Sequence, residues 1–423
     1  MSRKVIKAAQ SIALPFSVYI HWPYCESKCT YCNFNKYTQP KNPPNERLIS
    51  AMEKEINYYF DRYQLINRPL HSIYFGGGTP SLAKPSELGY LIDLLDKKVG
   101  LTSDIEITME ANPTSIELKN LHEFKNAGIN RLSLGIQSFD DASLKLLGRD
   151  HSGTDGIRGI GQAKKIFDNL TFDLIFARPG QSLISWKDEL KLGLDLAANH
   201  ISLYQLTIER STPIQKALKK GNLPSLPDSD QIADMYEMTV DFTKEQGFRH
   251  YEVSNYSRHT TTMSQHNFSY WRGMDYIGIG PGAQGKITHG QKRIRTFGEF
   301  HPDKYMSLCE SEGEGIRKFT AISDDQFMEE LVVFGLRTKM GVAYRSFEYL
   351  TKGKSLNDII NKEVLDMCIQ SNFLIQQHDD SNQQYLKRYI PDNFRWEWKY
   401  GGIRPTEEGL ERIDTIIPLL LNK

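Results

Sequence analysis

Cysteine is scarce in this chain, five in 423 residues, too few and too unevenly spread for a disulfide framework. An excess of either charge is absent too, since 52 Lys and Arg balance 52 Asp and Glu. That leaves no basic domain to hold nucleic acid and no net attraction to a membrane surface. No run of about 18 apolar residues occurs, so no transmembrane helix is expected. Acid is missing before Glu26, while Arg3, Lys4 and Lys7 precede it. Residues 1–15 therefore have the composition of a mitochondrial targeting segment, a composition that a frayed terminus and a cytoplasmic setting share.

Hydrophobic residues at 39% and charged residues at 25% are ordinary for a globular protein. The length exceeds what one core usually serves, so a large domain with a smaller one is expected. Strand-type runs at 16–21, 72–75, 104–110, 130–136, 171–177 and 200–208 alternate with helix-periodic stretches such as 86–96 and 116–127. This pattern predicts an α/β fold, a partial (β/α)6 barrel over 16–210, with its site at the C-terminal ends of the strands. Residues 211–320, with a helix at 229–247 and a strand at 250–254, extend the barrel. Helical stretches at 324–338 and 361–371, a polar insert near 377–384 and a Trp/Tyr-rich stretch near 395–400 predict a smaller, winged-helix-like domain over 321–423. Its closing helix repeats Leu410, Ile413, Ile416, Ile417 and Leu420 behind Thr406 as N-cap.

Three of the cysteines, Cys25, Cys29 and Cys32, stand in the spacing C-x3-C-x2-C just after the first strand, whereas Cys309 and Cys368 are isolated. Three thiolates on one short loop can hold three corners of a [4Fe-4S] cluster and leave the fourth iron open to a small molecule. Structural zinc and unliganded thiols are the competing readings; zinc normally closes with a fourth Cys or His in paired knuckles. An oxygen-sensitive cluster requires a reducing compartment.

Other unusual residues fall on the same rim. The run GGGTP at 76–80 follows the second strand and lets backbone approach a ligand closely, or simply turns. Glu110 ends the third strand, where Glu106, Thr108 and Glu110 alternate with Ile105, Ile107 and Met109, so one set faces the interior. A carboxylate there suits an amine or ribose hydroxyls. Gln137 follows the fourth strand. Asp173 and Arg149 read by themselves as structural pairing residues. GPGAQG at 280–285 matches the dinucleotide fingerprint, but no helical period follows it, so NAD and FAD are rejected. His266 joins two large aromatics in HNFSYW at 266–271; imidazole is a common haem ligand, and a packed histidine beside core aromatics is the simpler reading.

Taken together, YIHWPYC at 19–25, GGGTP at 76–80, MEANP at 109–113, GIQSF at 135–139 and FDLI at 172–175 resemble the radical S-adenosylmethionine proteins of the oxygen-independent coproporphyrinogen III oxidase group. YQLTIE at 204–209, YEVSNY at 251–256, HNFSYW at 266–271 and GIGPGA at 278–283 resemble its haem-chaperone branch, HemW. The resemblance implies a radical SAM type barrel with a [4Fe-4S] cluster on Cys25, Cys29 and Cys32, whose open iron chelates S-adenosylmethionine and which can donate an electron into its sulfonium. It further implies a cofactor pocket of Tyr19, Gly77, Gly78, Thr79, Glu110, Gln137, Arg149 and Asp173, and His266 as the leading haem ligand. The oxidases resemble C-x3-C-x2-C-x-C and carry a longer N-terminal extension. Here the last cysteine position is Phe34, and about 15 residues precede the first strand, so the resemblance favours a haem-binding chaperone with haem-accepting partner proteins. An oxidase that decarboxylates coproporphyrinogen III is the rival. A radical S-adenosylmethionine enzyme acting on tRNA is a third reading, opposed by the neutral charge balance. GLRT at 335–338 and PTEEGL at 405–410 resemble mitochondrial members, which favours the targeting reading of residues 1–15.

Overall fold

A computed structural model describes residues 14–421. The segment read as a targeting sequence lies almost wholly outside them. Six strands, β1 (Phe16–Trp22), β2 (Leu70–Gly77), β3 (Glu106–Ala111), β4 (Arg131–Gln137), β5 (Asn169–Phe176) and β6 (His200–Gln205), pair in parallel in sequence order. Their alternation decides what the barrel encloses. Val18 and Ile20, Ile73 and Phe75, Ile107 and Met109, Leu132 and Leu134, Phe172 and Leu174, and Ile201 and Leu203 form one apolar core. The intervening residues, among them Tyr74, Glu110, Arg131, Ser133, Asp173 and Ser202, line an internal cavity. A strand side chain points to one face or the other with period two, so the apolar set packs under the helices while the polar set is left inside.

The outer helices follow from spacing and ends. Helix α1 (Asn45–Tyr63) buries Leu48, Met52, Ile56, Tyr59 and Tyr63 on one stripe. Helix α2 (Pro85–Val99) starts with Pro at its first turn, buries Leu88, Leu91, Ile92 and Leu95, and stops at Gly100. Each such side chain contributes roughly 1.5–3 kcal/mol when fully buried. The stretch expected as one helix at 116–127 is two, Ser115–Leu118 and Leu121–Asn126. The break falls at Lys119 and Asn120, and Asn favours helix ends over interiors.

Two features lie beyond the six-unit barrel. A seventh parallel strand, here β9 (Asp275–Ile279), pairs with β1 on its open flank. It follows β7 (Arg249–Glu252) and β8 (Asn255–Ser257), which add to β6 in antiparallel sense. From β9 the sheet continues antiparallel through β10 (Gln284–His289), β11 (Lys292–Gly298) and β12 (Ile316–Ile322). The glycine-rich run at 280–285 therefore turns one strand back into the next, and no helix opens from it.

The C-terminal part has its own apolar cluster around Leu331, Val332, Leu336, Ile403 and the five residues expected in the closing helix. It combines helices such as Asp324–Leu336 with a three-stranded antiparallel sheet of β13 (Val342–Ala343), β15 (Gly402–Pro405) and β14 (Leu374–Gln377). Thr406 caps as expected, accepting from the Gly409 N–H at 2.9 Å. The closing helix is in fact two, Glu407–Glu411 and Ile413–Leu421.

One buried acid ties the barrel to its extension. Glu55 of α1 accepts from the Tyr305 hydroxyl at 2.6 Å, the Gly280 N–H at 2.9 Å and the Gly315 N–H at 3.3 Å. Burial pushes its carboxyl up from 4.5 to about 7, against the pull of those donors. The folded state therefore holds a proton that the unfolded chain releases, so stability falls as pH climbs from about 4.5 through about 7. Glu55→Gln is expected to flatten that decline, which amounts to at most on the order of 3 kcal/mol. Thermal melts across this pH range at constant ionic strength measure it, and parallel curves for the two proteins would contradict it.

Candidate functional site

The cysteine loop leaves the top of β1 and is held from three sides. Past Trp22 the chain stays paired with its neighbour: the Gly78 N–H donates to the Trp22 carbonyl at 2.6 Å and the Thr79 N–H to the Tyr24 carbonyl at 2.8 Å. Farther along, the Thr30 N–H donates to Leu147 O and Ile214 N–H to Thr30 O, each at 3.0 Å, and Thr30 Oγ1 donates to Leu146 O at 2.8 Å. Lys36 Nζ closes the loop on Cys32 O at 2.6 Å.

Within this frame Cys25, Cys29, Cys32, Gly77, Gly78, Thr79, Glu110, Gln137, Arg149 and Asp173 line one cavity of about 150 Å³. It shares Tyr31, Cys32, Phe34, Glu110, Ser133, Gln137 and Asp173 with a second cavity of about 310 Å³ inside the barrel. Arg149 Nη1 donates to Cys29 Sγ at 3.2 Å and Nη2 to the Gly135 carbonyl at 2.8 Å. The arginine read as a structural partner thus hydrogen-bonds a cysteine of the loop. Burial raises the Cys25 thiol to about 11, although Thr79 hydrogen-bonds it; binding a metal would release that proton. Among the described residues no three His, Cys, Asp or Glu side chains converge on a single metal ion. A four-iron cube sets each thiolate on its own iron, and three cysteines on one loop suit that arrangement.

Glu110 accepts from the Tyr74 hydroxyl at 2.8 Å and the Gly77 N–H at 3.2 Å. Burial, helped by the charge of Asp173, lifts its carboxyl to about 7; burial likewise lifts Asp173 to about 6. Two carboxyls raised in one cavity favour a ligand that brings positive charge. Gln137 sits at φ 68° at the end of β4, a left-handed conformation costing about 1–2 kcal/mol in a residue other than glycine. The register between β4 and β5 shifts there.

The glycines serve a different immediate purpose from the one expected. A Cβ on Gly77 would lie 2.5 Å from the His21 ring, and one on Gly78 would lie 2.5 Å from the Tyr24 carbonyl oxygen. The chain itself occupies that space, and the close approach is of β2 to the cysteine strand.

Tyr19 and His266 stand apart from this cavity. The Tyr19 hydroxyl bonds His21 Nδ1 at 3.1 Å, its ring stacks on that of Tyr74, and its side chain lines a larger chamber. His266, on the helix Gln265–Trp271, is 1% exposed. Ser72 Oγ donates to Ser17 at 2.9 Å and lies 2.9 Å from His266 Nδ1, so Nδ1–H donates to Ser72 and Nε2 accepts from Tyr270, 2.8 Å away. Burial holds this imidazole down at about 3, hence neutral. Both ring nitrogens are committed within the chain, so an iron could reach His266 only by breaking one of these bonds. Residues passed over in the sequence also reach the cluster cavity. Tyr31 lies between two cysteines, and Asn112, two positions past Glu110 in the MEANP run, donates to Glu117 at 3.1 Å and accepts from Arg149.

A three-cysteine loop over a polar-lined parallel barrel is the arrangement of radical S-adenosylmethionine proteins. The family model described as the radical SAM superfamily matches residues 19–193. "Radical S-adenosyl methionine domain-containing protein 1, mitochondrial" of Danio rerio is 36% identical over 97% of this chain and 88% of its own. "Heme chaperone HemW" of Haemophilus influenzae is 33% identical over 86% and 93%. The solved coproporphyrinogen III oxidase (HemN) of Escherichia coli covers 98% of this chain and 92% of its own, with a TM-score of 0.76 at 21% identity, and shares the fold. The chain belongs to the HemW-type family of radical S-adenosylmethionine proteins.

Cys25→Ala, Cys29→Ala and Cys32→Ala are each expected to lose iron and sulfide after anaerobic reconstitution, while Cys309→Ala and Cys368→Ala, both remote from the loop, retain them. Metal analysis decides; stoichiometric zinc without iron in the wild type would sink the cluster.

Proposed function

We propose that this protein is a haem-binding chaperone that passes haem to haem-requiring proteins, with a [4Fe-4S] cluster and S-adenosylmethionine held in the barrel. The reading is carried by kinship to proteins named as haem chaperones across 86% of the chain, combined with Phe34. That side chain is 63% exposed where the oxidase pattern has its last cysteine, and it lines both barrel cavities. When bound, the cluster supplies an electron and an open iron site for the amino and carboxylate groups of S-adenosylmethionine.

In this proposal Cys25, Cys29 and Cys32 hold the cluster, and Arg149 steadies the thiolate of Cys29. Glu110 and Asp173 face the cationic cofactor, Thr79 and the backbone at Gly77 and Gly78 fix the wall beside it, and Gln137 closes the far side. Residues 16–210 would carry this site, residues 211–320 would complete the sheet around it, and residues 321–423 would cover its flank. The basic, acid-free start of residues 1–15 and the word mitochondrial in relatives' names support a mitochondrial setting. Among the described residues no helix is long and apolar enough to cross a membrane.

Two measurements test this. Reconstituted protein given coproporphyrinogen III, S-adenosylmethionine and a reductant is expected to make no protoporphyrinogen IX, while haem-loaded protein transfers haem to an apo-haemoprotein; efficient decarboxylation would establish the oxidase instead. Glu110→Ala is expected to keep the cluster's absorbance and weaken S-adenosylmethionine binding by roughly 1.5–3 kcal/mol, the scale of a charge-assisted hydrogen bond. Unchanged affinity by calorimetry would remove Glu110 from the pocket.

A further inference from the structure

A chamber of about 1000 Å³ lies against the cysteine loop, bounded by Asn33, Phe34 and Asn35 on that side and by Glu330 and Phe334 of the helix Asp324–Leu336 on the other. It is separate in its walls from the cluster cavity except at Phe34, and its volume is at the upper end of small-ligand sites, roughly 300–1,000 Å³. Tyr270, Tyr276, Phe297 and Phe334 contribute aromatic walls. Two cations, Lys286 and Arg295, share the single lining carboxylate of Glu330; the Lys286 bridge is 3.3 Å long. Outside this pair, the Arg317 guanidinium stands 4.5 Å from the centre of the Phe300 ring at the rim, and Lys318 Nζ 5.9 Å from that of Phe297. Aromatic faces in a partly polar lining that carries Lys286 and Arg295 match a planar macrocycle that bears two carboxylates on one edge.

We infer that this chamber is the haem seat, with the macrocycle between the aromatic walls and its propionates turned toward Lys286 and Arg295. The inference rests on the haem reading above and adds where the haem sits. It places the cargo one side chain, Phe34, away from the cluster. The competing cavity, about 500 Å³ with Trp396, Phe394 and Arg345 in its walls, includes Pro15 and Asp275. It therefore opens at the opposite end of the barrel, beside the starts of β1 and β9. Its arginines Arg272, Arg293 and Arg345 meet two carboxylates, Asp275 and the buried Glu397, the second already paired with Arg272.

The test titrates cluster-loaded protein with haem and with haem dimethyl ester, read by Soret absorbance. Wild type is expected to bind haem at least about tenfold more tightly than the ester, as loss of one charge-assisted hydrogen bond implies. Lys286→Gln with Arg295→Gln is expected to abolish that preference. Because this pair leaves Glu330 buried without a partner, a triple variant adding Glu330→Gln removes the network as a whole and should show the same loss, with iron content and melting midpoint as checks on folding. Arg345→Ala with Trp396→Ala should keep wild-type affinity. Retention of the propionate preference in the folded triple variant, or its loss in the Arg345/Trp396 variant alone, overturns the seat and leaves the chaperone reading standing. A wild type that binds no haem overturns the chaperone reading, and the seat with it.

Discussion

Two backbone hydrogen bonds, from Gly78 to Trp22 and from Thr79 to Tyr24, carry the pairing of β1 and β2 beyond the rim of the barrel. Without them the segment that bears Cys25 would leave the sheet at Trp22. They require the two strands to approach more closely than any side chain permits, which is why glycine stands at 77 and 78. The same approach brings the Gly77 N–H to Glu110 and the Thr79 side chain to Cys25. The cluster loop, the carboxylate and the polar rim are thus set by one local constraint.

The inward face of the barrel adds a second layer. A polar interior is costly unless its groups are paired or await a ligand. Ser17, Ser72, His266 and Tyr270 satisfy one another in a chain of hydrogen bonds, and Thr171, His200 and Tyr251 do the same on the far side. Glu110 and Asp173 remain as raised carboxyls. Both stand where the cofactor is proposed to bind.

Much of this is legible in the sequence because period-two alternation and turn residues are local signals. The six parallel strands are visible within a few residues, and the cysteine spacing marks the site directly. Strand β9 is not legible as a barrel strand, because its partner β1 lies at the other end of the chain and only tertiary pairing reveals it. The same limit applies to Arg149, whose contact with Cys29 links loops far apart in sequence. His266 shows the same limit: an HNFSYW run reveals chemistry, and burial with both nitrogens hydrogen-bonded is a property of its surroundings. Asn112 was within reach, since it stands in a run already singled out for Glu110.

The position of β1 between β2 and β9 has a consequence for biosynthesis. As the chain emerges, β1 pairs with β2 early, but its other edge stays open until residue 279 has been made. An open parallel edge is a site for wrong pairing, and contacts this distant in sequence form slowly. The strand that leads into Cys25 is thus among the first made and the last to be enclosed. Cluster assembly on a finished site must follow synthesis of nearly two thirds of the protein, and until then the thiols are borne by an element whose neighbour does not yet exist.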